Sequence, residues 1–171
     1  MSILERIHSP ADLKALPAEE IPALCAELRS FLVENLAKTG GHLASNLGAV
    51  ELTVAIDRVY STEKDRLVFD VGQQSYVHQI LTGRREAFST LRQFGGIAGF
   101  PKPDESVHDA FVAGHASTSI SVALGMARAR TLTGADYDVI ALIGDGALTG
   151  GLAYEGLSAA GQSGEPMVIE L

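Results

Sequence analysis

Four short runs of this sequence carry residue types that chemistry uses, each at a point where the chain turns. Gly144-Asp145-Gly146 follows an apolar run and precedes a helical pattern. An Asp at the carboxyl end of a strand can hold a hard cation through its carboxylate oxygens, and flanking glycines let a phosphate reach backbone N–H groups. An Asp-Gly pair there serves equally as a turn or a helix cap, so this run alone leaves both readings open. Ala113-Gly114-His115-Ala116-Ser117-Thr118-Ser119 sets a glycine and a histidine ahead of small hydroxyl residues. His115 can donate to a phosphate or substrate oxygen while Ser117 or Thr118 caps the next helix; a capping loop with a surface His fits as well. His42, beside Gly40 and Gly41 and between two helices, can line a pocket or act as a structural hydrogen-bonder. Asp70-Val71-Gly72-Gln73-Gln74 ends a strand with two amides that can bond a polar ligand or simply water.

The elements that must position these runs alternate in type. Pro10 and Pro17 can open short helices, and Pro22 falls in the first turn of a longer one, where a missing N–H costs little. Ile21, Leu24, Cys25, Leu28, Leu32 and Leu36 recur at helical spacing, with Lys38 and Gly40-Gly41 as the stop. Ser45 or Asn46 is placed to cap a helix over 47–59. Leu67-Val68-Phe69-Asp70 reads as a buried strand, 75–81 and 86–93 as helical, and 95–114 as a long connection. The stretch 117–132, rich in Ala and small residues, reads as a helix that packs closely against a neighbour. Val139 to Ile143 is the clearest strand, a helix follows over 148–160, and Met167-Val168-Ile169 begins another strand. Apolar strands separated by helices predict an α/β layer structure with a largely parallel sheet. With no repeat or interdomain linker visible, the chain reads as one domain or part of one.

Bulk properties narrow the partners. The 171 residues suffice for a proper core, and 46% hydrophobic with 20% charged residues is an ordinary globular balance. A formal net charge of -8, with no cluster of Lys and Arg, speaks against nucleic acid or an anionic membrane as partner. A diphosphate remains accessible to an acidic chain, because backbone N–H groups and a metal ion supply the positive field. Gly is abundant at 18 residues, which suggests tight turns and close backbone approach to a ligand. Cys25 is the only cysteine and reads as a small buried hydrophobe. The opening residues show no signal-peptide pattern and no apolar run is long enough to span a bilayer, so a cytoplasmic location is expected.

Taken in order, Thr39 to Leu52, Asp70 to Arg85, Leu91 to Lys102, Ala113 to Gly125 and Ile143 to Gly151 resemble the N-terminal region of the 1-deoxy-D-xylulose-5-phosphate synthases. These belong to the wider transketolase superfamily of thiamine-diphosphate enzymes. The resemblance covers nearly the whole chain. It implies a doubly wound, mostly parallel α/β diphosphate-binding fold, with residues 1–171 as part of that domain and 1–38 as a helical N-terminal segment. It further implies that Asp145 coordinates Mg²⁺ bridging the diphosphate of thiamine diphosphate, with Gly146 and Ala147 contacting it through backbone. Gly114, His115 and Ala116 match the Gly-His-Ser segment that approaches the cofactor, and His42 matches a catalytic histidine that faces the substrate and assists proton transfers or the binding of phosphate-bearing substrate. The implied reaction joins pyruvate to glyceraldehyde 3-phosphate with loss of CO₂, in an enzyme that works as a homodimer.

Three departures qualify the match. Ala116 stands where Ser is usual, and Gln73, a cofactor-side position, stands where the family usually has His. Glutamine donates and accepts hydrogen bonds but does not titrate near neutral pH. The family completes its metal site with an Asn one βα unit after Gly-Asp-Gly, and Leu171 falls short of that point; Glu170 also sits in an apolar strand, where an unpaired buried carboxylate is costly. The pyrimidine-binding domain of the family lies outside these residues too. Three readings therefore stand: the N-terminal part of a synthase that is inactive alone, a subunit of a split enzyme completed by a partner that brings the pyrimidine domain, or a degenerate binding module.

Overall fold

The computed structural model describes residues 2–171, and the chain divides into two compact units. The first comprises Met1–Ser61 and Gln73–Gly99, the second Thr62–Gly72 and Phe100–Leu171.

The first unit is helical. Pro10 and Pro22 open α1 (Pro10–Ala15) and α2 (Ile21–Thr39) as expected, with a short 3₁₀ turn at Ala18–Glu20 between them. Leu24, Cys25, Leu28, Leu32 and Leu36 form the buried stripe of α2, and burial pushes the Cys25 thiol up. Gly40 ends α2 at φ 73°, its N–H returning to the Leu36 carbonyl. The expected helix over 47–59 is instead two, α3 (Leu43–Gly48) and α4 (Val50–Val59), which break at Ala49. Neither Ser45 nor Asn46 is a cap, since both lie inside α3. After α5 (Tyr76–Gln79) the helix loosens to π geometry at Ile80–Arg84 and kinks at Gly83, with φ 92°. A 3₁₀ helix at Glu86–Thr90 follows. Phe88, fully buried, packs edge-on to Tyr76 and tilted on Phe31, at ring-centre distances of 5.8 and 5.4 Å.

The second unit has the expected α/β character. β1 (Arg66–Phe69), β2 (Val139–Leu142) and β3 (Val168–Glu170) form a parallel sheet in that order. Arg66 pairs with Val139 and Phe69 with Leu142, while Ile140 pairs with Val168 and Leu142 with Glu170. This register brings Asp70, Ile143 and Glu170 to one edge, the carboxyl end of the sheet. All four residues of β2 are buried, whereas those of β3 are half-buried. Glu170 is thus half-solvated, which removes the burial cost that its apolar strand suggested.

α6 (Ser119–Thr133) packs on β1, β2 and α8 (Gly151–Ser163), with Ile120, Ala123 and Ala127 buried. The close packing expected of its small residues is seen at Gly156, where a Cβ would lie 3.0 Å from the Ser121 hydroxyl. The expected helix over 148–160 is preceded by a separate turn, α7 (Asp145–Leu148). Residues 101–116 cross between β1 and α6 without helix or strand.

Candidate functional site

Two loops meet at the carboxyl end of the second unit's sheet. One is the turn Gly144 to Gly150 after β2, and the other is Ala113 to Thr118 ahead of α6. The Ser117 hydroxyl donates to the Ala147 carbonyl at 2.6 Å, so the structure brings Gly114, His115 and Ala116 alongside Asp145, Gly146 and Ala147. Asp145 and Gly146 are exposed, as are Gly114, His115 and Ala116, and Ala147 is half-buried. The Asp145 carboxylate makes no hydrogen bond or ion pair with any described residue. A Cβ added at Gly114, Gly144 or Gly146 would meet nothing within 4 Å, so open space lies over these three backbones. Exposed loop residues, an uncommitted carboxylate and open space over three glycine backbones suit an anion held with a cation.

Neither Ser117 nor Thr118 caps α6. Thr118 occupies the cap position, but its hydroxyl turns back to the His115 carbonyl at 3.0 Å. The cap comes from the residue after β1: the Asp70 carboxylate, 2% exposed, accepts the Ser117 N–H at 2.8 Å and the Ser119 N–H at 3.0 Å. A carboxylate at a helix N-terminus is favoured by the helix dipole as well as by these bonds. After Asp70 the chain turns sharply, the Gly72 N–H reaching the Asp70 carbonyl at 2.6 Å. Val71, at φ 59°, lies inside that turn, a rare conformation for a β-branched residue.

The first unit holds the other two predicted residues, and it too brings them together. The Asn46 amide donates to the His42 carbonyl and to the Gln73 carbonyl, both at 2.7 Å, and its oxygen accepts the Tyr76 N–H at 2.9 Å. His42 and Gln73 are half-buried, whereas Asn46 is fully buried. Tyr76 lies beneath this loop. Burial pushes its phenol up, opposed by the adjacent His42 N–H, though no hydrogen bond of full geometry closes there. Gly41 sits at φ 141°, and a Cβ on it would lie 2.8 Å from Leu36 and 3.1 Å from the Tyr76 hydroxyl. The glycine beside His42 is therefore dictated by packing.

The family model described as 1-deoxy-D-xylulose-5-phosphate synthase matches residues 4–171. The chain belongs to that family. The 1-deoxy-D-xylulose-5-phosphate synthase of Thiobacillus denitrificans is 59% identical over 170 residues, covering 99% of this chain and 28% of that protein. The 1-deoxy-D-xylulose-5-phosphate synthase 1 of Geobacter sulfurreducens is 54% identical over 170 residues, with 99% and 27% covered. The chain therefore spans little more than a quarter of the length of these curated relatives. Among solved structures, transketolase from Leishmania mexicana superposes with a TM-score of 0.77 at 18% identity, covering 87% of this chain and 26% of that one. Transketolase from Campylobacter jejuni gives a TM-score of 0.70 at 21% identity, with 86% and 27% covered. That likeness is one of fold, and it bears out the α/β class.

In this member of the synthase family, sequence reasoning missed Asn46, Asp70 and Ser117 as organisers of the loops. The available signals were a Ser and an Asn read as local caps, and an Asp closing an apolar strand. Among the described residues no three His, Cys, Asp or Glu side chains gather into a metal cage. Asp145 alone offers a carboxylate at the turn. That donor set fits Mg²⁺, which keeps water and phosphate oxygens as most of its ligands. No helix of the described residues is long and apolar enough to cross a membrane.

Proposed function

We propose that this chain supplies the diphosphate-binding part of a thiamine-diphosphate-dependent 1-deoxy-D-xylulose-5-phosphate synthase. The observation that carries the reading is the Ser117–Ala147 hydrogen bond, which joins the loop of Gly114, His115 and Ala116 to the turn of Asp145, Gly146 and Ala147, in a chain matching the family from residue 4 to residue 171.

In this reading Asp145 holds Mg²⁺ through its carboxylate. The N–H groups of Gly146 and Ala147, with those of Gly114 and Ala116, take the diphosphate oxygens. His115 donates to the same anion from the loop tip. Ala116 contributes backbone only, having no hydroxyl to offer. His42 is the substrate-facing residue of the first unit, and Gln73 contributes hydrogen bonds toward the cofactor without a proton to exchange near neutral pH. Thiamine diphosphate, when bound, would supply the electron sink that decarboxylation of pyruvate needs. The complete enzyme would join pyruvate, with loss of CO₂, to glyceraldehyde 3-phosphate to give 1-deoxy-D-xylulose 5-phosphate, a precursor for isoprenoids and thiamine. It acts as a cytoplasmic homodimer in which residues 1–171 form part of the diphosphate domain and 1–38 its helical lead-in.

Calorimetric titration of the chain with thiamine diphosphate, with and without Mg²⁺, tests the reading. Binding that requires Mg²⁺ and disappears in Asp145→Ala is expected. Absence of binding at millimolar cofactor, with the protein shown folded by circular dichroism, would remove the proposal; so would equal binding by the variant.

A further inference from the structure

Ser117 links three segments of the second unit. Its N–H is fixed by Asp70 at 2.8 Å, its hydroxyl holds the Ala147 carbonyl at 2.6 Å, and its backbone is forced to φ 71°. The Ala147 carbonyl also accepts the Gly150 N–H at 3.2 Å, so one oxygen closes the turn and receives the clamp. A side chain at Gly150 would collide with the Ser117 hydroxyl, so the turn approaches this closely only because residue 150 is glycine. A left-handed serine costs about 1 kcal/mol or more relative to an ordinary conformation, and it persists only where the surroundings over-determine it. Here two bonds to buried or half-buried partners do so. Asp70 also accepts the Ser119 N–H, the first of α6, so one carboxylate ties the start of that helix to Ser117.

We propose that Asp70 and Ser117 are positioning residues that fix the spacing between the Gly114–Ala116 loop and the Asp145–Ala147 turn before any ligand arrives. This deepens, and rests on, the assignment of those two segments to a metal-bridged diphosphate. Neither residue contacts the ligand. Their contribution is preorganisation: two loops held at a fixed separation lose less freedom on binding than two that must be brought together.

Ser117→Gly isolates the clamp, because glycine accepts the left-handed backbone without penalty while deleting the hydroxyl. The variant is expected to keep or raise the thermal midpoint of the chain. In the cofactor-free protein, amide exchange at Leu148, Thr149 and Gly150 should quicken, and Mg²⁺-dependent affinity for thiamine diphosphate should fall about tenfold, the scale of one lost hydrogen bond. Gly150→Ala, which forces the hydroxyl off Ala147, should quicken the same amides. Exchange that is unchanged in both variants overturns the clamp, as does undiminished affinity in Ser117→Gly. If the unaltered chain binds no cofactor, the diphosphate assignment falls, and the exchange rates still decide whether the clamp exists.

Discussion

At Asn46 one carboxamide satisfies three backbone groups, the carbonyls of His42 and Gln73 and the N–H of Tyr76. Asn46→Ala leaves these groups without that partner in a buried setting, at about 3 kcal/mol of stability as judged from the usual penalty for such groups. Asn46→Asp keeps the acceptor but loses the donor at neutral pH, so it should lose at least as much. Urea unfolding measures both, and a loss below about 1 kcal/mol in the alanine variant would contradict this bridging role. The sequence shows why the residue was misread. Ser, Asn and Asp near a helix start look like caps because capping is local, whereas Asn46 reaches a carbonyl 27 positions on and Ser117 a carbonyl 30 positions on. Those partners are set by the fold, which no local pattern encodes. His42, Asp145 and His115 stood out as candidates because glycines or an apolar run flank them; Asp70 was visible only as the last residue of an apolar run.

α4 and α5 are joined by a buried pair, His78 Nδ1 lying 2.9 Å from both carboxylate oxygens of Asp57, with each side chain no more than 1% exposed. Removing one member strands a polar partner in the core. His78→Leu is therefore expected to cost about 3–5 kcal/mol by chemical denaturation, and a cost under about 1 kcal/mol would mean that the pair holds nothing. The N-terminal turn is tied to α2 differently. Glu27 is pushed up by burial but more strongly held down by the N–H groups of Leu4 and Ile3 and the Ser2 hydroxyl, so its carboxyl lies below the ordinary 4.5. A depressed carboxyl stabilises the folded chain fully above its ordinary value, and that contribution is lost as pH falls through the folded value. The Leu4 amide shift should thus titrate with a midpoint below 4.5, and Glu27→Gln should abolish that titration; a midpoint at or above 4.5 would contradict the tether. At this scale the sequence was most readable. α2, β1 and β2 follow periodicity and apolar runs, α6 follows its Ala-rich composition, and the parallel sheet follows from the alternation of strands and helices. The kink at Gly83 falls in the gap left between the expected helices over 75–81 and 86–93, whereas the break at Ala49, just after Gly48, divides a stretch that read as one helix.

Across the whole chain, family membership and fold rest on residues 4–171 and on a transketolase-like backbone, while the chain covers 28% of the length of a close relative. The catalytic apparatus proposed for the complete enzyme therefore draws on more than these 171 residues. Purified alone with thiamine diphosphate, Mg²⁺, pyruvate and glyceraldehyde 3-phosphate, the chain should release no 1-deoxy-D-xylulose 5-phosphate, and steady product formation would overturn that expectation. Binding asks less of the chain than turnover does: in the proposed site it would need only Mg²⁺ and a diphosphate held by the Gly114–Ala116 loop and the Asp145–Ala147 turn. The amide nuclear magnetic resonance spectrum of the labelled chain, titrated with thiamine diphosphate in the presence and absence of Mg²⁺, reports on both segments at once. Mg²⁺-dependent shifts concentrated at Gly114, His115, Ala116, Gly146 and Ala147 are expected. Shifts that leave these amides unmoved, or that are the same without Mg²⁺, would contradict the proposed site.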